Sequence, residues 1–179
     1  MAYRSMEECL LHLEKNGQLV RIKEETDPTL QMAAIHLRVH EAGGPALLFE
    51  NVKGSKYRAA SNIFGTIERS RFIFKDTLST VQQLIDLKSN PVEAFKHPIN
   101  NIQAGLAALK AFPLKNPFTK PIIENNIRIQ DIPLIHHWPL DGGAFVTLPQ
   151  VYSEDADKPG IMNANLGMYR IQLNGNDYK

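Results

Sequence analysis

The residues best suited to chemistry stand in one short stretch, Asn163-Ala-Asn165-Leu166-Gly167-Met168-Tyr169-Arg170. As an extended strand it puts Asn163, Asn165, Gly167 and Tyr169 on one face, with Met168 and Arg170 on the other. An amide oxygen is a hard metal ligand, and a guanidinium stays charged and grips a carboxylate through two parallel bonds. Asn165 and Arg170 would lie about 16 Å apart along a regular strand. Gly167 between them is where a β-bulge could reset the alternation, or where a ligand could approach the backbone. Spacing alone favours a plainer alternative, in which asparagines begin a strand and an exposed arginine binds nothing.

Other candidate groups are weaker. His36 and His40 stand four apart on a predicted helix, a spacing that can clasp a metal. The zinc-protease signature needs a glutamate after the first histidine, and Leu37 stands there, so a solvated pair is expected. Cys9 in a leucine-rich helix reads as a small buried hydrophobe. His136 and His137 are adjacent, so an extended chain points them to opposite sides. Asp141-Gly142-Gly143 reads as a turn whose backbone amides a ligand could approach.

These groups need elements to position them. Ser5 and Glu8 form a capping box for a helix over 6–15, which Asn16-Gly17 ends. A short strand follows at Leu19–Ile22. Asp27-Pro28 is the start signal for a second helix, with Leu30, Ala33, Ala34 and Leu37 at helical spacing and Gly43-Gly44-Pro45 as its end. Strands are expected at 46–49 and 57–63, joined as a hairpin. Helices are expected after Gly65 through 74, from Thr77 as N-cap, from Asn90-Pro91, and over 101–111. Three prolines within 113–121 mark a linker, and the signals beyond it are mostly β: 122–123, 127–129, 144–152 and 161–173. The last two would pair as a hairpin through the polar loop 154–160. A lone hairpin of that length is marginally stable, so further strands are expected after Lys179 in a longer parent.

Composition excludes several classes. The 179 residues carry 20 basic and 19 acidic side chains, net +1, with no basic stripe of the kind that binds nucleic acid. Apolar residues make up 43% and charged ones 22%, as in an ordinary globular protein. The single cysteine excludes an intrachain disulfide. No apolar run reaches the 18–20 or so residues of a membrane span and no secretory signal opens the chain, so a cytoplasmic location is expected.

The stretch Asn165-Leu166-Gly167-Met168-Tyr169-Arg170 resembles a motif of the UbiD family of decarboxylases, which use prenylated FMN. Collinear pieces are similar to the same family: Tyr3-Arg4-Ser5, 17–22, 44–52, Ser61-Asn62-Ile63-Phe64-Gly65, Ile132-Pro133, Trp138-Pro139 and Asp141-Gly142-Gly143. The resemblance implies an α+β chain, with an N-terminal α/β domain over 1–115. Residues 116–179 would then be the truncated, first strands of a flavin-reductase-like split β-barrel. It implies Arg170 as a catalytic group near the flavin ring. Asn165 becomes a ligand of Mn2+ at the flavin phosphate, with the Leu166 backbone at a K+ site. Leu166, Gly167, Met168, Tyr169 and Thr147 become cofactor-proximal positions. The implied reaction is reversible, non-oxidative decarboxylation of an aromatic or α,β-unsaturated carboxylic acid, as by a 3-octaprenyl-4-hydroxybenzoate carboxy-lyase of ubiquinone biosynthesis. A polyprenylated substrate would bring the protein to a membrane surface. A flavin prenyltransferase would supply the cofactor, and the full-length form would be a homo-oligomer. The family's remaining metal ligands and catalytic glutamates have no match within 1–179, so this chain alone is expected to be inactive. Two other readings stay open: a non-catalytic assembly module whose hairpin completes a partner's sheet, and an ordinary FMN-binding split-barrel oxidoreductase.

Overall fold

Helix α1 (Met6–Lys15) is bounded as its capping residues dictate. The Ser5 hydroxyl accepts from the Glu8 amide at 3.2 Å, and the Glu8 carboxylate reaches back to the Arg4 amide at 2.7 Å. At the other end Gly17 takes φ 68, a left-handed turn that costs glycine no steric strain. Its amide bonds Glu14 O at 2.9 Å and the Gln18 amide bonds Leu13 O at 2.8 Å, which satisfies the last carbonyls of the helix. The structure, a computed structural model, describes residues 3–89, 106 and 127–173. The helices expected from residue 90 and over 101–111, the proline-rich linker and the strand at 122–123 lie outside the described residues.

The chain falls into two compact units, residues 1–9 with 67–122, and residues 10–66 with 123–179. Among described residues the first holds the start of α1, α3 (Ile67–Ile73) and α4 (Lys75–Ser89). Thr77 lies inside the first turn of α4 rather than capping it, and its hydroxyl donates to Phe74 O at 3.1 Å.

The second unit carries the strands. β1 (Leu19–Ile22) runs parallel to β2 (Ala46–Phe49), connected by α2 (Gln31–Glu41), and β3 (Ala59–Ser61) returns antiparallel on the far side of β2. Every residue of β2 is buried, as expected of a central strand covered on both faces. Leu47 and Phe49 share one face and pack with Met32 and Val52, bordered by Ile35 and Val39 of α2 and by Ile135. Arg21 ties the edge together: its Nε and Nη2 bind Glu14 at 2.5 and 2.7 Å, and its Nη1 binds Glu50 at 2.6 Å.

α2 begins later than Asp27-Pro28 signals. Asp27 Oδ1 accepts from the Thr29 amide at 2.8 Å, a local turn, and Leu30 takes the N-cap position at φ 65. The override is tertiary. The Leu30 amide donates to His136 O at 3.0 Å and the His136 amide to Pro28 O at 3.1 Å, pulling 28–30 into a bridge.

The C-terminal signals form a bent ribbon. The two long strands expected over 144–152 and 161–173 are each broken. β4 (Ala144–Val146) pairs antiparallel with β7 (Ile171–Leu173), and β5 (Gln150–Glu154) with β6 (Ala164–Met168). Residues 161–163 form a 3-10 turn, and so do 129–131, which begin where the strand expected over 127–129 was to end. Pro149 has no amide for the ladder, which breaks it there.

Candidate functional site

The ribbon's bend is where the candidate residues meet. Val146 pairs with Ile171 and Gln150 with Met168, so Thr147, Leu148 and Pro149 face only Tyr169 and Arg170. One strand therefore has one residue too many, a bulge that re-aims side chains. The sequence pointed to Gly167 for such a device. Gly167 instead pairs regularly with Val151, and the extra residue sits across from Arg170. Thr147, expected within a strand, lies in this exposed break, in the same interval of the ribbon as Arg170.

Gly167 has a different use. Tyr169 folds back along the strand so that its ring lies over the glycine; a Cβ there would meet Tyr169 Cε2 at 2.8 Å. The phenol oxygen thereby reaches Asn165 Nδ2 at 3.2 Å. That bond uses one of the two N–H donors of the amide and leaves the Asn165 carbonyl oxygen as an acceptor. Asn165, Leu166 and Met168 are all exposed.

Arg170 is held at one edge of its guanidinium and covered on one face. Its Nη2 donates to Asp141 Oδ2 at 2.8 Å, and its guanidinium lies 3.7 Å from the centroid of the Phe145 ring. Both contacts come from the face of β7 that also carries Gln172, whose Nε2 donates to Gly142 O at 2.6 Å. The Asp141-Gly142-Gly143 turn is thus fastened to the strand by two side chains. Its own backbone is held as well: the Asp141 amide donates to Trp138 O at 3.0 Å, and Asp141 O accepts from His136 Nε2 at 3.2 Å. The sequence identified this turn but not its partner, because Arg170 lies 29 positions away. No local signal could have joined them; only the ribbon's register does.

His137 lies beside this pair. Its Nδ1 is buried and has no hydrogen-bond partner among the described residues. Burial pushes the imidazole's pKa down; the Asp141 charge opposes this and the Arg170 charge adds to it.

Of the His36–His40 pair, His36 is half-buried rather than solvated, while His40 is exposed, as expected. His36 Nδ1 meets the Ser61 hydroxyl, and His40 Nδ1 meets Asn62 Oδ1 at 3.3 Å. The two rings stack at 5.8 Å with 4° between planes. Asn62 Nδ2 donates to Gly44 O and Pro45 O, so its oxygen is the acceptor and His40 Nδ1 carries the proton. Ser61-Asn62 thus docks α2 onto β3. Burial, then the neighbouring His40 and His137, push the His36 pKa down. Among the described residues no three histidine, cysteine or acidic side chains converge to hold a metal. Cys9 is buried, as expected, and burial raises its thiol pKa, which makes it a poor nucleophile.

The same donor set bears on the expected cofactor. A hard divalent cation such as Mn2+ takes about six oxygen ligands, and the exposed Asn165 Oδ1 is a hard oxygen of the kind such an ion takes. Arg170 keeps Nε and Nη1 uncommitted among the described residues, which suits an anionic group. The residues present therefore fit one side of a metal–flavin site. No helix among the described residues is long and apolar enough to cross a membrane.

Comparison with known proteins leads to one family. Residues 10–88 match the family model for the 3-octaprenyl-4-hydroxybenzoate carboxy-lyase N-terminal domain, and residues 113–178 match that enzyme's Rift-related domain. A Chlamydia caviae protein is 38% identical over 179 residues, which cover 96% of this chain and 29% of that protein. A 4-hydroxybenzoate decarboxylase component from Chlamydia pneumoniae is 35% identical over 164 residues, 87% of this chain and 26% of the relative. The closed form of vanillic acid decarboxylase from Sedimentibacter hydroxybenzoicus superposes with a TM-score of 0.72 at 28% identity, over 99% of this chain and 36% of that one. An evolved dimeric form of the UbiD-class enzyme HmfF from Pelotomaculum thermopropionicum, in complex with prFMN, shares the fold at a TM-score of 0.66 and 24% identity, over 98% of this chain and 37% of that one. The chain spans between about a quarter and just over a third of the length of these relatives.

Proposed function

Because the chain belongs to the UbiD family of carboxy-lyases, we propose that it builds one side of the active site of a reversible, non-oxidative decarboxylase. The substrate class would be aromatic or α,β-unsaturated carboxylic acids. The observation that carries this reading is Arg170, a guanidinium gripped on one side only, at the bend of the ribbon. Its Nε and Nη1 would bind a carboxylate, and its permanent charge would hold that group through the reaction. Prenylated FMN, when bound, would supply the sink for the electrons that the departing carbon dioxide leaves behind. Asn165 Oδ1 would be one ligand of Mn2+ at the flavin phosphate, and the Leu166 carbonyl would serve K+. Gly167, Met168, Tyr169 and Thr147 would line the cofactor. The ribbon would form the opening strands of a flavin-reductase-like split barrel over 116–179, following an α/β domain over 1–115. The gap between the two matched family regions, 88 to 113, favours a boundary there.

The whole protein would be a homo-oligomer in the cytoplasm, supplied by a flavin prenyltransferase. A polyprenylated 4-hydroxybenzoate would place it at a membrane surface. Residues 1–179 alone would not turn over, since they offer one side of the site.

The test is to express the complete reading frame with a flavin prenyltransferase and follow carbon dioxide release from vanillic, 4-hydroxybenzoic and related acids. Release that vanishes in Arg170→Ala supports the reading. A protein that binds unmodified FMN and turns over by redox chemistry, with no release, would replace it by the oxidoreductase. Asn165→Ala should lower metal and cofactor content after gel filtration, and unchanged content would remove Asn165 from the site.

A further inference from the structure

We propose that Asp141 is a positioning residue, which through its carboxylate, and with the Phe145 ring beneath, aims the free edge of Arg170 at the substrate. This rests on the reading of Arg170 given above. The geometry is that of a one-sided clamp. An arginine has five N–H donors in a rigid fork and several rotatable bonds behind it. Asp141 takes Nη2 alone at 2.8 Å, and Phe145 covers one face of the plane at 3.7 Å. Nε and Nη1 are left with no partner among the described residues. The clamp therefore orients the guanidinium without consuming the edge a carboxylate would use.

Asp141 is suited to this because it is itself immobilised. Its side chain is 17% exposed against 49% for Arg170. Its amide and carbonyl are bonded to Trp138 and His136, and the next residue's carbonyl is bonded to Gln172. A Cβ at Gly142 would stand 3.1 Å from Gln172 Nε2, so the glycine lets the turn approach β7 closely. Every restraint on the turn thus passes to the arginine through one carboxylate. A surface ion pair built only for stability would contribute little and would need none of this support.

Loss of the clamp returns rotameric freedom to one long side chain, which corresponds to about a threefold to tenfold penalty. In the complete protein loaded with cofactor, Asp141→Ala should lower kcat/KM by about that factor in the native background. Independently of turnover, 15N relaxation of the Arg170 Nε–H in cofactor-free protein should report a rigid side chain, freed by Asp141→Asn. Asp141→Glu, which keeps the charge, should recover part of the rigidity. If Arg170→Ala itself retains activity, the functional reading of Arg170 falls, while the relaxation result still judges the clamp. If Arg170→Ala is inactive but Asp141→Asn leaves relaxation unchanged, or Asp141→Ala leaves kcat/KM unchanged, the positioning role is overturned.

Discussion

β2 and β6 are both short apolar strands, and the fold treats them oppositely. Ala46–Phe49 is buried from end to end between two paired neighbours and beneath α2, with Phe49 at 0% exposure. Among the described residues Ala164–Met168 pairs on one edge only, and Leu166 and Met168 are 65% and 67% exposed. The first strand owes its place to hydrophobic burial on both faces. The second holds Asn165 by one hydrogen bond to the folded-back ring of Tyr169, and the Arg170–Asp141 ion pair lies just beyond its end. Stability and candidate chemistry are thus carried by different elements, the usual division between a scaffold and its site.

The contrast can be broken most severely at Phe49. Phe49→Ala should cost about 3–5 kcal/mol in urea denaturation, because the cavity opens where nothing can collapse. A loss below about 1 kcal/mol would mean that β2 is not the centre of the core. Acid should act next. Burial holds the His36 and His137 pKa values below the ordinary value of about 6.5, so the unfolded chain binds protons that the folded one refuses. Stability should therefore be full above about pH 6.5 and fall as pH drops below it. His36→Gln should flatten that slope; an unchanged slope would place the titration elsewhere.

On the ribbon the effects should be smaller and more local. Gly167→Ala pushes the Tyr169 ring off the strand and breaks the Asn165–Tyr169 bond, at less than about 1 kcal/mol because the ring is free to swing outward. Tyr169→Phe should free the Asn165 side-chain amide in the same way, seen as a shift of its NMR signal, with Gly167 intact. Met168→Ala should cost least, within about 0.5 kcal/mol. In amide exchange, 47–49 should be protected far longer than 151–154.

Much of this was legible in the residues. Ser5 with Glu8 and Asn16-Gly17 delimited α1 because capping is local chemistry between residues three to five apart. Leu19–Ile22 and Ala46–Phe49 read as strands from their apolar runs. Signals failed where a distant segment intervened. Asp27-Pro28 did not start α2, since His136 claims the backbone of 28–30. The strands at 144–152 and 161–173 broke at Pro149 and across from it. Gly167 looked like a bulge or a ligand's approach, yet it makes room for the ring of Tyr169. His36 looked solvated, because Ser61, which meets its ring, is more than 20 residues away.

What the sequence determined by itself was the set of local elements, the bulk class and, through the 165–170 motif together with the collinear pieces before it, the family. Those depend on side-chain period, capping and turn chemistry, all read within a few residues. Only the tertiary structure decided which groups meet: Arg170 with Asp141 and Phe145, Asn165 with Tyr169, His36 with Ser61. Such pairings depend on strand register and on a one-residue bulge, which arise from the competition of the whole chain for partners rather than from any local stretch.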